Sequence, residues 1–101
     1  MTTKAYASGN WRVTEGNEEE FVTRWTDFLE WSREQVPGLE NATLIRDEQD
    51  PRHFVSMATW ADVGSRRSWQ SHPTFAEKLG ACRSLCDGLD SGSFELAALI
   101  G

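Results

Sequence analysis

Few side chains in this sequence can exchange a proton near neutral pH, and they are scattered. The 101 residues include two histidines and two cysteines. His72 stands directly before Pro73. An unperturbed imidazole titrates at about pH 6.5, so His72 is the best-placed candidate for a general base. His53 is a weaker one: it opens the run His-Phe-Val-Ser-Met-Ala-Thr-Trp, and the alternation of a strand sets it on the side opposite Trp60. Cys82 and Cys86 share a face if the chain is helical there, and they read as two small buried hydrophobes. A disulfide inside one regular helix has poor geometry, and neither histidine lies close enough in sequence to complete a metal site with them. No catalytic triad, phosphate loop, acid pair or metal-ligand cluster is present. Aromatic surface is what the sequence has in quantity. Its five tryptophans supply burial and suit the walls of a ligand cavity. Trp60 closes one strand, Trp69 follows nine residues later, and Trp25 and Phe28 share a helical stripe. Together these four rings could form a slot for a flat molecule.

The elements that must position them can be read in order. Residues 4–13 alternate as a first strand, in which Gly9 marks a bulge or a close approach by another group. Asn17 caps a helix, with Glu20 at the capping-box position and three glutamates at the positive end of the dipole. Phe21, Val22, Trp25, Phe28, Leu29, Ser32 and Val36 form one stripe of that helix, and Trp31 falls beside it as a boundary or subunit contact. Pro37-Gly38 ends it. Residues 39–48 and 52–60 form an antiparallel hairpin around a short polar turn. Phe54, Ser56, Ala58 and Trp60 lie on one side of the second strand; His53, Val55, Met57 and Thr59 lie on the other. Asp62 caps a short helix reaching Gln70. Pro73 opens another that runs to about Asp87, with Phe75, Leu79, Cys82 and Cys86 as its stripe, and Gly88 ends it. A last strand covers 92–100. The order is that of a ferredoxin-like α+β fold, βαββαβ: a four-stranded antiparallel sheet with helices on one face, in a single domain over residues 1–101. The strands are apolar on both sides. Such a sheet needs two covers, and a second copy of the chain is the expected one, giving a homodimer.

Charge narrows the partners. A net charge of −6 lacks the basic face that nucleic acid demands. No apolar run approaches the roughly 18 residues of a membrane span, and the Met-Thr-Thr-Lys start lacks the apolar centre of a signal peptide. The expectation is a cytoplasmic protein that binds neither nucleic acid nor membrane.

Several motifs then combine: G-N-W-x-V at Gly9–Val13, G-x-E-E-E-F-x-x-x-W from Gly16 to Trp25, P-G-L at 37–39, L-x-R-D-x-x-D-P-R-x-F-V-S from Leu44 to Ser56, and T-W-A-D followed by W-x-x-H-P-x-F from Thr59 to Phe75. This set resembles the antibiotic biosynthesis monooxygenase family from about Tyr6 to Leu99. The resemblance implies a dimeric α/β barrel in which two ferredoxin-like units pack sheet to sheet. It also implies oxidation of an aromatic or polycyclic quinol- or polyketide-type molecule by O₂ with no metal, flavin or haem. In the haem-degrading branch, an Asn on the first strand and a Trp after the third strand match Asn10 and Trp69, but Leu79 stands where the iron-ligating His is expected. In the cofactor-free branch, a polar residue and a Trp four apart match Ser56 and Trp60, with Ser in place of Asn, and Arg83 is the nearest match to an Arg on the second long helix. With His72 from its imidazole and the aromatic slot from the tryptophans and Phe28, the candidates are His72, Arg83 and Trp60 in catalysis, and Asn10, Trp25, Phe28, Ser56 and Trp69 in substrate binding. Two other readings suit the same scaffold: a non-catalytic binding or accessory module, and an isomerase or cyclase whose base works without O₂.

Overall fold

The structure is a computed structural model that describes residues 4–101. Its elements are β1 (Ala5–Val13), α1 (Glu18–Gln35), β2 (Leu39–Asp47), β3 (Asp50–Trp60), α2 (Val63–Gln70), α3 (Phe75–Arg83) and β4 (Cys86–Glu95). The four strands form one antiparallel sheet in the order β2-β3-β1-β4, and the helices cover one face of it. This is the ferredoxin-like arrangement expected.

Register decides which side chains meet. Gly9 pairs with Ser56 on one side and with Ser91 on the other; Trp11 pairs with Phe54 and Leu89. Ala5, Ala7, Gly9, Trp11 and Val13 therefore share the helix-facing side with Phe54, Ser56, Ala58 and Trp60. The core forms there: Trp11, Phe21, Phe28, Phe54, Trp60 and Trp69 are all at most 5% exposed. Tyr6, Ser8, Asn10 and Arg12 share the bare face with His53, Val55, Met57 and Thr59. On that face Ile45, Met57 and Phe94 are 58%, 47% and 57% exposed.

The helix stripes hold with local corrections. Phe21, Trp25, Phe28, Leu29 and Ser32 are buried on α1, whereas Val22 lies out at the margin, 36% exposed. Asn17 precedes α1, but its side chain makes no capping bond. Its Nδ2 instead donates to the Leu85 carbonyl, 3.3 Å away. Glu20 pairs with Arg24 one turn on, so the capping box does not close. Asp62 does cap α2, accepting from the Ser65 N–H at 2.7 Å. Arg66 ties α2 to the sheet by donating to the carbonyls of Tyr6 and Phe94.

The C-terminal third departs most from the sequence reading. α3 starts at Phe75 rather than Pro73 and stops at Arg83, and the chain turns at Ser84-Leu85 into β4. Leu85 explains the early stop. Its carbonyl accepts from the Thr14 N–H at 2.9 Å as well as from Asn17, so the chain is held at the end of β1 before another helical turn can form. β4 then pairs from Val13↔Cys86 to Ala5↔Glu95. Gly88, expected to end a helix, instead pairs with Arg12. Residues 96–101 carry no regular structure, so Leu96, Ala98 and Ile100 do not continue the strand. Cys82 ends up on a helix and Cys86 on a strand. Burial pushes the Cys82 thiol up to about 12 and the Cys86 thiol up to about 11, which leaves both poorly nucleophilic.

The hairpin end of the sheet is held by carboxylates. Asp47 accepts from His53 Nδ1 at 2.9 Å and from the Gln49 N–H at 2.8 Å. Asp50 accepts from the Arg52 N–H at 3.0 Å and pairs with Arg12. The His53 bond, ahead of the Gln49 amide, holds the Asp47 carboxyl below its ordinary value of 3.8; the Arg52 amide, ahead of Arg12, does the same for Asp50. A depressed carboxyl contributes stability above its unfolded pKa and loses it as pH falls through the folded one. The hairpin should therefore loosen below about pH 4. Urea midpoints recorded from neutral pH down to acid should fall less steeply for an Asp47→Asn/Asp50→Asn variant than for the wild type; parallel curves would show that other groups set the acid limb.

Candidate active site

Between the sheet and the helices lies a half-open cavity of about 450 Å³, within the roughly 300–1,000 Å³ of sites that hold drug-sized molecules. Its apolar wall comes from Trp11, Trp25, Leu29, Trp69, Phe75 and Leu79. Its polar side chains are Ser56, Gln70, Ser91 and Ser93. None of the lining side chains is ionisable.

The aromatic wall is built by helix–helix contact. Trp69 stacks on Phe28 with ring centroids 5.6 Å apart and meets Phe75 edge-on at 4.8 Å. Its N–H donates to Ser32 Oγ at 2.8 Å. Ser32, wholly buried, donates in turn to the Phe28 carbonyl at 2.7 Å. One hydroxyl thus fixes the indole against α1. Gln70 is positioned by its amide, which donates to Ser93 Oγ at 3.1 Å.

Ser56 is held from the opposite wall. Trp11 Nε1 donates to Ser56 Oγ at 2.9 Å in a buried bond. The serine oxygen accepts there, so its own proton is free for a ligand in the cavity. Gly9 makes this bond possible: a Cβ at that position would lie 2.5 Å from Trp11 Nε1 and 2.8 Å from Ser56 Oγ. The glycine marks a close approach, and the ladder around it is regular. The only register shift between β1 and β4 falls at Arg12/Val13. Gly9→Val should cost about 1–3 kcal/mol by overpacking and expel the Trp11 indole from its place. Chemical denaturation, together with the shift of the Trp11 indole N–H resonance, would check both effects. An unmoved resonance would mean that the wall tolerates the methyls.

The residues singled out in the sequence are partly brought together. Trp25, Ser56 and Trp69 line the cavity. Phe28 stands behind Trp69. Trp60, fully buried, lies against Trp69 at 5.0 Å with its N–H unpaired. His72 lies elsewhere: its ring meets Trp31 edge-on at 4.9 Å, and its Nδ1 accepts from the Thr74 N–H at 3.1 Å. Arg83 is exposed at the last turn of α3. Asn10 lies on the bare sheet face, with Oδ1 2.7 Å from His53 Nε2. Period two accounts for this, because Asn10 sits between Gly9 and Trp11, which both face the helices. Sequence reasoning missed Gln70, Leu89, Ser91 and Ser93. The last three sit on β4, and Leu89 and Ser91 precede residue 92, where the sequence reading started that strand. Leu79, read as part of an apolar stripe and as a departure from a ligand pattern, supplies apolar wall.

Residues 5–78 match the sequence profile of the family described as antibiotic biosynthesis monooxygenase. The chain belongs to the antibiotic biosynthesis monooxygenase family. No curated protein sequence matches it. Solved structures share the family fold at low identity. SnoaB, a cofactor-independent oxygenase from Streptomyces nogalater, superposes with a TM-score of 0.86 at 21% identity over 98% of both chains. A mutant of SnoaB gives 0.87 at 22% over 96% of both. A candidate antibiotic biosynthesis monooxygenase from Deinococcus radiodurans gives 0.81 at 16%, again over 96% of both. Among the described residues no helix of this family member is long and apolar enough to cross a membrane, and no three His, Cys, Asp or Glu side chains cluster as metal ligands would.

Proposed function

We propose that this protein is a cofactor-independent monooxygenase acting on a flat, electron-rich polycyclic phenol or quinol. The observation that carries the proposal is a cavity with aromatic walls, in which one hydroxyl, Ser56, is held by Trp11 with its proton free. Membership of the family supports it, as does the fold shared with a protein described as a cofactor-independent oxygenase.

In this reading the substrate supplies the electrons. Its ionised form transfers one to O₂, the resulting radicals combine, and the peroxide breaks down to a carbonyl and water. One oxygen atom enters the product and the other leaves as water. The protein's part is to hold the ring between Trp25, Trp69 and Phe75 and to donate Ser56 Oγ–H to the oxygen that carries the negative charge. The wall contains no side chain able to take the proton. A substrate acidic enough to enter as its anion, or to lose its proton to water at the cavity mouth, suits it best. The bare sheet face is covered by a second copy, so the working unit is a homodimer.

Oxygen uptake should appear with dihydroxynaphthalene- or anthrone-type compounds after exhaustive chelation, and Ser56→Ala should slow it by about ten- to a hundredfold, the worth of a hydrogen bond to a charged group. No uptake across such a panel would overturn the assignment. The neutral wall also favours a second reading, a binding or accessory module that carries a biosynthetic intermediate. Saturable binding with no product would select it. Turnover without O₂ would point instead to an isomerase or cyclase, the chemistry least suited to a wall lacking a base.

A further inference from the structure

Three hollows meet at one side chain. Trp25 lines the central cavity, and it also lines a groove of about 230 Å³ between α1 and the start of β2. It lines as well a shallower hollow farther along the same helix, beside Val22 and Arg46. Leu29 is shared by the first two. The partition between cavity and groove is therefore one layer of side chain.

Trp25 is also the least tethered of the five tryptophans. Trp11 and Trp69 are held by N–H bonds to serines. Trp11, Trp31, Trp60 and Trp69 each pack against another ring. Among the described residues Trp25 makes neither kind of contact, although it is only 9% exposed. A change of its rotamer breaks no directed interaction. The groove beyond it changes character: its rim carries Glu30, Arg33, Glu40 and Asn41.

We propose that Trp25 is a movable partition that sets the length of fused-ring ligand the site accepts, and that the accepted class is a linear polycycle bearing a polar group at the end that passes it. With the indole closed, a ligand ends inside the apolar cavity. With it displaced, the ring system extends between α1 and β2, and its polar end meets the charged and amide groups of the rim. The proposal rests on the reading of the cavity as a site for flat rings.

Isothermal titration calorimetry with a dihydroxynaphthalene, a dihydroxyanthrone and a four-ring hydroxytetracenequinone tests it on the wild type, Trp25→Ala and Trp25→Phe. The expected result is a shift of about tenfold in the affinity ratio towards the four-ring compound in Trp25→Ala, with Trp25→Phe in between. An unchanged ratio in both variants, whatever the absolute affinities, would overturn the partition. If Trp25→Ala fails to fold, the ratio in Trp25→Phe decides. Failure of the wild type to bind any of the three compounds would instead overturn the flat-ring reading beneath it.

Discussion

Trp69→Ala should lower the unfolding free energy by about 3–5 kcal/mol, the usual cost of deleting a large buried aromatic side chain. For a domain of this size that corresponds to a fall in melting temperature on the order of 20 °C, and it removes a large share of a stability that is typically only 5–15 kcal/mol. The effect is large because Trp69 is the hub of the helix layer. It stacks on Phe28, tilts against Trp60 at 5.0 Å and meets Phe75 edge-on, and its N–H is the one that Ser32 accepts. Trp69→Phe separates the two contributions. It keeps most of the ring packing and removes only the donor, and Ser32 retains its own bond to the Phe28 carbonyl. About 1 kcal/mol is expected for that loss. Calorimetry or urea unfolding of both variants distinguishes the cases. Equal losses would assign the stability to the hydrogen bond and leave the stack with little.

The second large effect concerns the bare face of the sheet. Met57→Asp should turn the proposed dimer into a monomer, raising its dissociation constant by more than about a hundredfold. Met57, Ile45 and Phe94 are large, apolar and about half exposed or more, and Tyr6 and Val55 lie on the same side. Such a patch on one face marks an interface. In a two-fold contact each substitution enters twice, and an unpaired carboxylate buried there costs several kcal/mol. Sedimentation velocity at micromolar concentration gives the answer. Thr23→Asp, on the exposed side of α1, serves as the control that leaves assembly unchanged. A wild type that sediments as a single subunit would remove the dimer from the functional reading.

Most of the fold was legible because its signals are periodic. The alternation in β3 separated its two faces correctly, that in β1 separated its two sets without showing that Asn10 belongs to the bare face, and the stripe on α1 needed only Val22 removed. The hairpin was announced by the polar Glu48-Gln49-Asp50 turn. The C-terminal third was harder for a physical reason. Phe75, Leu79, Cys82 and Cys86 keep helical spacing past the point where Leu85 is captured by Thr14 and Asn17, a contact between residues far apart in sequence. β4 itself, Cys-Asp-Gly-Leu-Asp-Ser-Gly-Ser-Phe-Glu, has weak strand propensity and forms because β1 offers it a partner. Shifting that strand cost the site reading Leu89 and Ser91. Tryptophans could be found as wall material from the sequence, but which of them touch the hollow depends on packing: Trp69 does, and Trp60 is one ring behind it. His72 was the natural base by chemistry, and only three dimensions show its ring set against Trp31.

The tilted contact between Trp60 and Trp69 has an optical consequence. Two indoles at this separation and at an interplanar angle of 37° couple their electronic transitions, so the far-ultraviolet circular dichroism should carry an exciton couplet superimposed on the backbone signal. Trp69 also faces the hollow, so a chromophore entering there would perturb that couplet and accept excitation energy from both rings. Occupancy could then be followed on the unlabelled molecule, in real time.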